Sequence, residues 1–198
     1  MKEAIVIFRK LYRSTHSHTS QETWQEICLV TSKDESSGTA TSLVLNRPMA
    51  FKLTENLAQL VLRGGTGSRL KPSTVTNVDQ FMAAFGNECA IYVGGPDGQE
   101  EPATLIHGFA ELPGSREIVP GVYMGGVDAA IDGVKKGLYK ALDFRFFVGR
   151  HDYEESMLDL DVVLGKYQPI VGARTLALKQ CISLPKPLWH EGNCFRFV

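Results

Sequence analysis

The sequence lacks any run of 18 apolar residues, so it offers no helix long and apolar enough to span a bilayer. Its opening, MKEAIVIFRK, holds only five consecutive apolar residues between charges, too few for the core of a signal peptide. Cysteine is scarce. Cys28, Cys89, Cys181 and Cys194 are the four present, and no two stand at the two-residue spacing of metal knuckles and redox motifs. Reduced thiols in an intracellular protein are therefore expected, with Cys28 and Cys89 packed in strands as small hydrophobes. The compartment expected is the cytoplasm, or a plastid or other organelle lumen after removal of a transit peptide. Charge of one sign is lacking too. Lys+Arg number 21 against 22 Asp+Glu, and residues 1–99 carry 10 basic and 9 acidic side chains. That balance, with no helix-turn-helix or basic stripe, argues against direct capture of nucleic acid or of a membrane surface.

What is present is ordinary globular composition, 43% hydrophobic and 22% charged over 198 residues. A chain of this length suits a single domain, and burying about 70% of its unfolded surface gives it a core without disulfide or metal staples. There is no internal repeat, linker or low-complexity segment.

Residues 4–8 (AIVIF), 26–31 (EICLVT) and 40–45 (ATSLVL) read as strands, the last two as a hairpin closed by the polar turn 32–39. The third strand stops at Asn46-Arg47-Pro48, where proline removes a ladder donor. Residues 13–23 are polar without apolar periodicity, and a peripheral, mobile loop is expected there. Thr54 can cap a helix over 55–62 that places Leu57, Leu60 and Val61 on one face. Asn77, with Gln80 three residues on, can open a second helix. Val78, Phe81, Met82 and Phe85 share its inner face, and Gly86 supplies a left-handed stop. Residues 88–93, 104–110, 119–124 and 143–148 read as further strands. The clearest helix covers 127–138, with Val127, Ala130, Ile131, Val134 and Leu138 inward. A last helix covers 154–164, with Gly165 to end it. Strands and helices alternate irregularly, which predicts an α+β fold with a mixed, largely antiparallel sheet and helices packed around it. A three-layer α/β/α sandwich is the alternative. The core is expected to join Phe81, Met82 and Phe85 to Val127, Ile131, Val134 and Leu138.

Motifs for chemistry are few. The glycine loop at 64–69 lacks both the Gly-Lys-Ser/Thr ending of a P-loop and the third glycine of a dinucleotide fingerprint. Gly125-Gly126, between a strand and a helix, reads as a structural turn sooner than an anion site. His16 and His18 share a loop with no further ligands nearby, and His190-Glu191 lacks a second histidine, so neither metal nor cofactor is expected. No Gly-x-Ser-x-Gly elbow is present.

The sequence does resemble a known family. The resemblance begins at Leu43-Val44-Leu45-Asn46-Arg47-Pro48 and strengthens at Tyr92-Val93-Gly94-Gly95-Pro96, at Leu105-Ile106-His107 and at residues 120–126 (PGVYMGG). It continues through residues 143–149 (DFRFFVG) and spans about 4–190 in one register. Together these motifs resemble the AlgH-like (YqgE-like) family, whose biochemical activity is not established, with wording nearer to the plant and algal members. The resemblance implies a compact arrangement of a mixed sheet with helices packed around it, and it carries an association of bacterial members with transcriptional regulation. Family members usually continue with a Tyr-Ala-Gly-Trp loop, where this chain reads RHDYEESM over 150–157. Tyr167 stands where a tryptophan is usual, and 192–198 also leave the family pattern.

One polar constellation remains: Asn46 and Arg47 at a strand end, His107 and Arg145 within strands. Should those strands adjoin, the four could converge on a cleft, with guanidinium groups for a small anionic ligand and histidine for proton transfer. The structural alternative has both arginines fastening carbonyls or carboxylates and His107 satisfied inside a strand. Arg47, held extended by Pro48, is expected to be mostly buried against a carboxylate or the turn 94–98. With no complete catalytic set, a non-catalytic protein that binds a small anionic ligand or a protein partner is the preferred expectation. An enzyme acting on a small anionic substrate through Arg47, Arg145 and His107 is the alternative.

Overall fold

Apolar runs rich in β-branched and aromatic residues form most of the described strands, and proline or glycine redirects the chain at several of the turns between them. The computed structural model describes residues 5–10, 26–34, 36–65 and 78–180. The expectations for residues 13–23, His16, His18, Asn77, Cys181, His190, Cys194 and the C-terminal stretch lie outside the described residues.

β1 (Ile5–Lys10), β2 (Ile27–Asp34) and β3 (Thr39–Val44) follow the first three apolar runs. β2 and β3 form the expected hairpin, with Cys28 opposite Val44 and Asp34 opposite Thr39. β10 (His151–Glu154) joins β3 and β11 (Tyr167–Gly172) joins β1, completing an antiparallel sheet in the order β10-β3-β2-β1-β11. Pro169 is accommodated because β11 lies at an edge, where a missing donor costs no ladder bond.

A second sheet takes β4 (Pro48–Ala50), β5 (Ala90–Val93), β6 (Thr104–His107), β7 (Ser115–Val119), β8 (Val122–Gly125) and β9 (Arg145–Val148). Their order is β4-β5-β9-β6-β8-β7. β5 and β9 run parallel, and the other described pairings are antiparallel. The fold is α+β and largely antiparallel, its strands divided between two sheets. Residues 119–124 are not one strand: Pro120 and Gly121 turn the chain between β7 and β8, with Gly121 at φ 73°.

Three helices cover one face of the second sheet: α1 (Glu55–Arg63), α2 (Val78–Phe85) and α3 (Val127–Lys135). Thr54 caps α1 as expected, its hydroxyl accepting from Leu57 N at 3.3 Å. Phe81, Phe85 and Ile131 are buried with Phe144 and Phe146, and Met82, Val127 and Val134 pack against them. Phe81 and Phe85 each meet Phe146 edge-to-face at 5.2 Å, the arrangement that aromatic quadrupoles favour. Leu138 departs from the expected core and is 69% exposed. Gly137 turns left-handed at φ 71° and ends α3 in a Schellman pair, Gly137 N to Val134 O and Leu138 N to Gly133 O. Leu138 is thus beyond the helix and out of phase with its apolar stripe. Gly86 also differs from expectation, since its φ is not positive. There the requirement is room: a Cβ would stand 2.5 Å from Met82 O.

A second core lies between the sheets, where Ile27, Leu29, Leu43 and Leu45 face Ala90, Tyr92, Ile106 and Phe147. The short helix α5 (Arg174–Leu178) adds Leu176 and Ala177 to it. A third cluster joins Cys28, Ala40, Val44 and Tyr167 to Leu158 of α4 (Glu155–Val163). The layers therefore run α4, five-stranded sheet, six-stranded sheet, then α1 to α3.

Candidate functional site

The chain passes from one sheet to the other at two neighbouring places. Residues 45–47 lead from β3 to β4, and Gly149-Arg150 leads from β9 to β10. The turn 94–98 sits between them: Val44 N donates to Gly94 O at 2.8 Å, and Gly94 N donates to Val148 O at 2.7 Å. Asp97 and Arg150 exchange two backbone hydrogen bonds of 2.8 Å. Contact here is so close that a Cβ on Gly94 would stand 2.2 Å from Gly149 O. The Gly-Gly-Pro motif is needed for this backbone-to-backbone approach.

Asn46 and Arg47 fasten the start of β2 to this joint. Asn46 Oδ1 accepts from Ile27 N at 2.9 Å. Arg47 Nη2 reaches Glu26 Oε1 at 2.6 Å, and Glu26 is only 2% exposed. His151 stands on the other side of that carboxylate, Nε2 to Oε2 at 3.7 Å. Arg47 is thus held by a carboxylate as expected, but not by the turn 94–98, and a third of its side chain is exposed. Glu26 and His151 were not candidates from the sequence. The alternation of half-buried His151 and Tyr153 with exposed Asp152 and Glu154 is the strand signal that reveals the second of them. Arg47→Lys should lower the unfolding free energy by about 1 kcal/mol, because an ammonium replaces a planar fork that holds a buried carboxylate while itself keeping part of its surface in water. Urea melts of the two proteins measure it.

Arg145 is buried, 1% exposed, on the inter-sheet face of β9. Its Nη2 donates to Leu45 O at 2.7 Å and its Nη1 to Ala177 O. Its guanidinium carbon lies 4.4 Å from the Tyr92 ring centroid and 5.0 Å from that of Phe147. His107 belongs to the opposite face of the same sheet. Ile106 pairs with Arg145 in register, so the next residue of β6 points the other way. His107 Nδ1 accepts from Phe109 N at 3.2 Å, which leaves Nε2–H to donate to Gly125 O at 3.2 Å. The structure brings Asn46 and Arg47 together, links Arg145 to them only through the Leu45 carbonyl, and keeps His107 apart.

Burial lowers the proton affinity of His107 below the ordinary imidazole value, with the Gly125 hydrogen bond opposing weakly. A native histidine that resists protonation stabilises the fold above its unfolded pKa of about 6.5, and that stability is lost as pH falls toward the lower folded value. His107→Gln should therefore make stability less sensitive to acid. Comparing urea melts at about pH 7.5 and about pH 5.5, the gap between wild type and variant should narrow in acid.

The parallel pair supplies a further feature. Beyond the carboxyl ends of β5 and β9 opens a groove of about 660 Å³. Met49, Leu60, Val93 and Val148 line it as an apolar floor, and Glu100 and Glu101 carry its charge. Arg150 holds Glu101 with two hydrogen bonds, 2.6 and 3.1 Å, and also grips Asp152 at 2.9 Å. These bonds keep the Glu101 carboxyl below its usual range and raise the Arg150 guanidinium above its own. No sequence motif announces the groove, because its floor is apolar and its acids are single residues of a loop. Burial pushes the Cys89 thiol up to about 12, so it stays protonated and is no nucleophile. Among the described residues no three His, Cys, Asp or Glu side chains are grouped to hold a metal ion.

The motifs that meet at this joint, Asn46-Arg47-Pro48, Gly94-Gly95-Pro96 and Gly149, fall within residues 11–192, which match the AlgH-like family model. The chain belongs to the AlgH-like family. Two solved structures share the fold. The solution structure of the AlgH protein from Pseudomonas aeruginosa is 16% identical with a TM-score of 0.59, covering 97% of this chain and 86% of that one. A crystal structure of a protein from Corynebacterium diphtheriae is 12% identical with a TM-score of 0.60, covering 96% of this chain and 84% of that one. No curated protein is similar enough in sequence to count as a relative. In this AlgH-like chain the departing residues 150–157 form β10 and the first turn of α4. No helix among the described residues is long and apolar enough to cross a membrane.

Proposed function

We propose that this AlgH-like protein binds its ligand without chemical turnover, in the groove beyond the carboxyl ends of β5 and β9. The groove itself supports the reading. It has the volume of a small-molecule site and an apolar floor, and among the described residues its lining holds Glu100, the Arg150-bound Glu101, and no lysine or arginine. Such a surface suits an apolar body bearing an ammonium or another donor group, and it suits a small anion poorly. The carboxyl end of parallel strands is also where open sheets leave space for ligands. In this reading Asn46, Arg47, His107 and Arg145 are framework residues, each satisfied by main chain or by a carboxylate. A regulatory role, of the kind associated with bacterial members of the family, is compatible with binding without turnover.

Ligand-observed NMR with phenethylamine and with phenylpropionate as matched probes tests the charge preference. The amine should bind, the carboxylate should not, and Leu60→Lys should weaken the amine by about tenfold. A preference for the carboxylate would overturn the reading. So would reproducible turnover of any metabolite that is lost in Arg47→Ala or His107→Ala.

A further inference from the structure

Arg150 stands behind the wall of the groove, and several attachments fix it there. Its backbone exchanges two hydrogen bonds of 2.8 Å with Asp97. Its Nη1 and Nη2 take one oxygen each of Glu101, at 2.6 and 3.1 Å. Its Nε donates to Asp152 at 2.9 Å, and Asp152 N donates in turn to Asp97 Oδ2 at 3.0 Å. The guanidinium also lies over Gly98 of the groove lining, where a Cβ would stand 2.5 Å from Nη1. An isolated surface ion pair holds little, but a two-pronged fork inside a network of this kind keeps its geometry.

The two acids of the groove are therefore unequal. Both oxygens of Glu101 are already engaged by a cation. Glu100 is exposed and has no described cation within ion-pair distance. An ammonium entering the groove can thus pair with Glu100 alone. A second ammonium would have to share Glu101 with Arg150, beside a guanidinium of its own sign. The floor of Met49, Leu60, Val93 and Val148 meanwhile suits an apolar body and offers a second charge no partner.

We infer that Arg150 sets the number of positive charges the groove accepts: by occupying Glu101 it restricts the ligand to a monoamine with an apolar tail and turns diamines away. The inference rests on the groove being the ligand site and narrows the ligand class there. Arg150 acts through Glu101 and is a positioning residue for recognition. Discrimination of this kind comes from what a site refuses as much as from what it binds.

Hexylamine and hexamethylenediamine are the probes, equal in chain length and different by one ammonium. Ligand-observed NMR titrations with the full chain at neutral pH should show hexylamine bound about tenfold more tightly. Arg150→Met frees Glu101 and should move the ratio of the two affinities at least about tenfold toward the diamine. Glu101→Gln breaks the same fork from the other side but frees no carboxylate, so its ratio should still favour hexylamine. The double variant Arg150→Met, Glu101→Gln should lose the diamine gain. Arg150→Gln, which removes the charge but keeps a donor, repeats the test should the methionine variant melt early. Equal binding of the two probes by wild type, or a ratio that the Arg150 variants leave in place, would overturn the inference while the groove remained an amine site. A ratio that moves alike in Arg150→Met and Glu101→Gln would overturn it as well, by assigning the effect to a loosened wall. Binding of neither amine would instead overturn the reading of the groove on which the inference rests.

Discussion

Arg145→Met should lower the unfolding free energy by about 2–4 kcal/mol, although methionine matches the arginine stem in length. The side chain is fully enclosed between the sheets. There its guanidinium gives the Leu45 and Ala177 carbonyls a donor that no water replaces. Each carbonyl left without that donor costs about 1–3 kcal/mol, and the lost contact with the Tyr92 and Phe147 rings adds to it. The relief of desolvating one fewer charge offsets part of the sum. Arg145→Lys should fall between wild type and methionine, because an ammonium keeps the charge but cannot span both carbonyls. Urea denaturation of the three proteins, followed by far-ultraviolet circular dichroism, ranks them. A methionine variant as stable as wild type would mean that the fork contributes nothing to holding the sheets.

Gly149→Ala should be as damaging, at about 3–5 kcal/mol, by a different route. Gly149 takes φ 72°, which alone costs an L-residue about 1–2 kcal/mol. Its new Cβ would also stand 2.4 Å from Gly95 O and 3.0 Å from Asp97 O, so two backbone turns must separate. Gly165→Ala isolates the conformational part, because Gly165 has φ 69° and open space around it. Thermal melts should show a small loss for Gly165→Ala, about 1 kcal/mol, and a loss several times larger for Gly149→Ala. Equal losses would show that crowding at the joint is unimportant.

Much of the architecture was legible in the sequence because it rests on local signals. The apolar runs that became β2, β3, β5 and β9, the Thr54 cap and the stripe Val78, Phe81, Met82, Phe85 all announce themselves within a few residues. The errors have local causes as well. Gly137 stops α3 before Leu138, and Pro120-Gly121 divides an apolar run, and in both the turn residue outranks the hydrophobic pattern around it. The constellation Asn46, Arg47, His107 and Arg145 failed to assemble for a reason no spacing reveals. Whether β6 offers His107 or Ile106 to the Arg145 face depends on the register between β6 and β9, and one residue of register decides the face. Glu26 and His151 were invisible for the complementary reason, because they meet through a pairing of β10 with β3 that joins distant parts of the chain.

The division of strands between the sheets bears on how the chain folds. The six-stranded sheet is drawn from one continuous stretch, from β4 at Pro48 to β9 at Val148. The five-stranded sheet takes strands from both ends: β1 rests on β11, with Ile5 opposite Gly172, and β3 rests on β10. Closing it requires contacts between residues far apart in sequence, the kind that slow folding most. On a ribosome the pairing edge of β1 must therefore wait, unpaired on one side, until β11 has emerged.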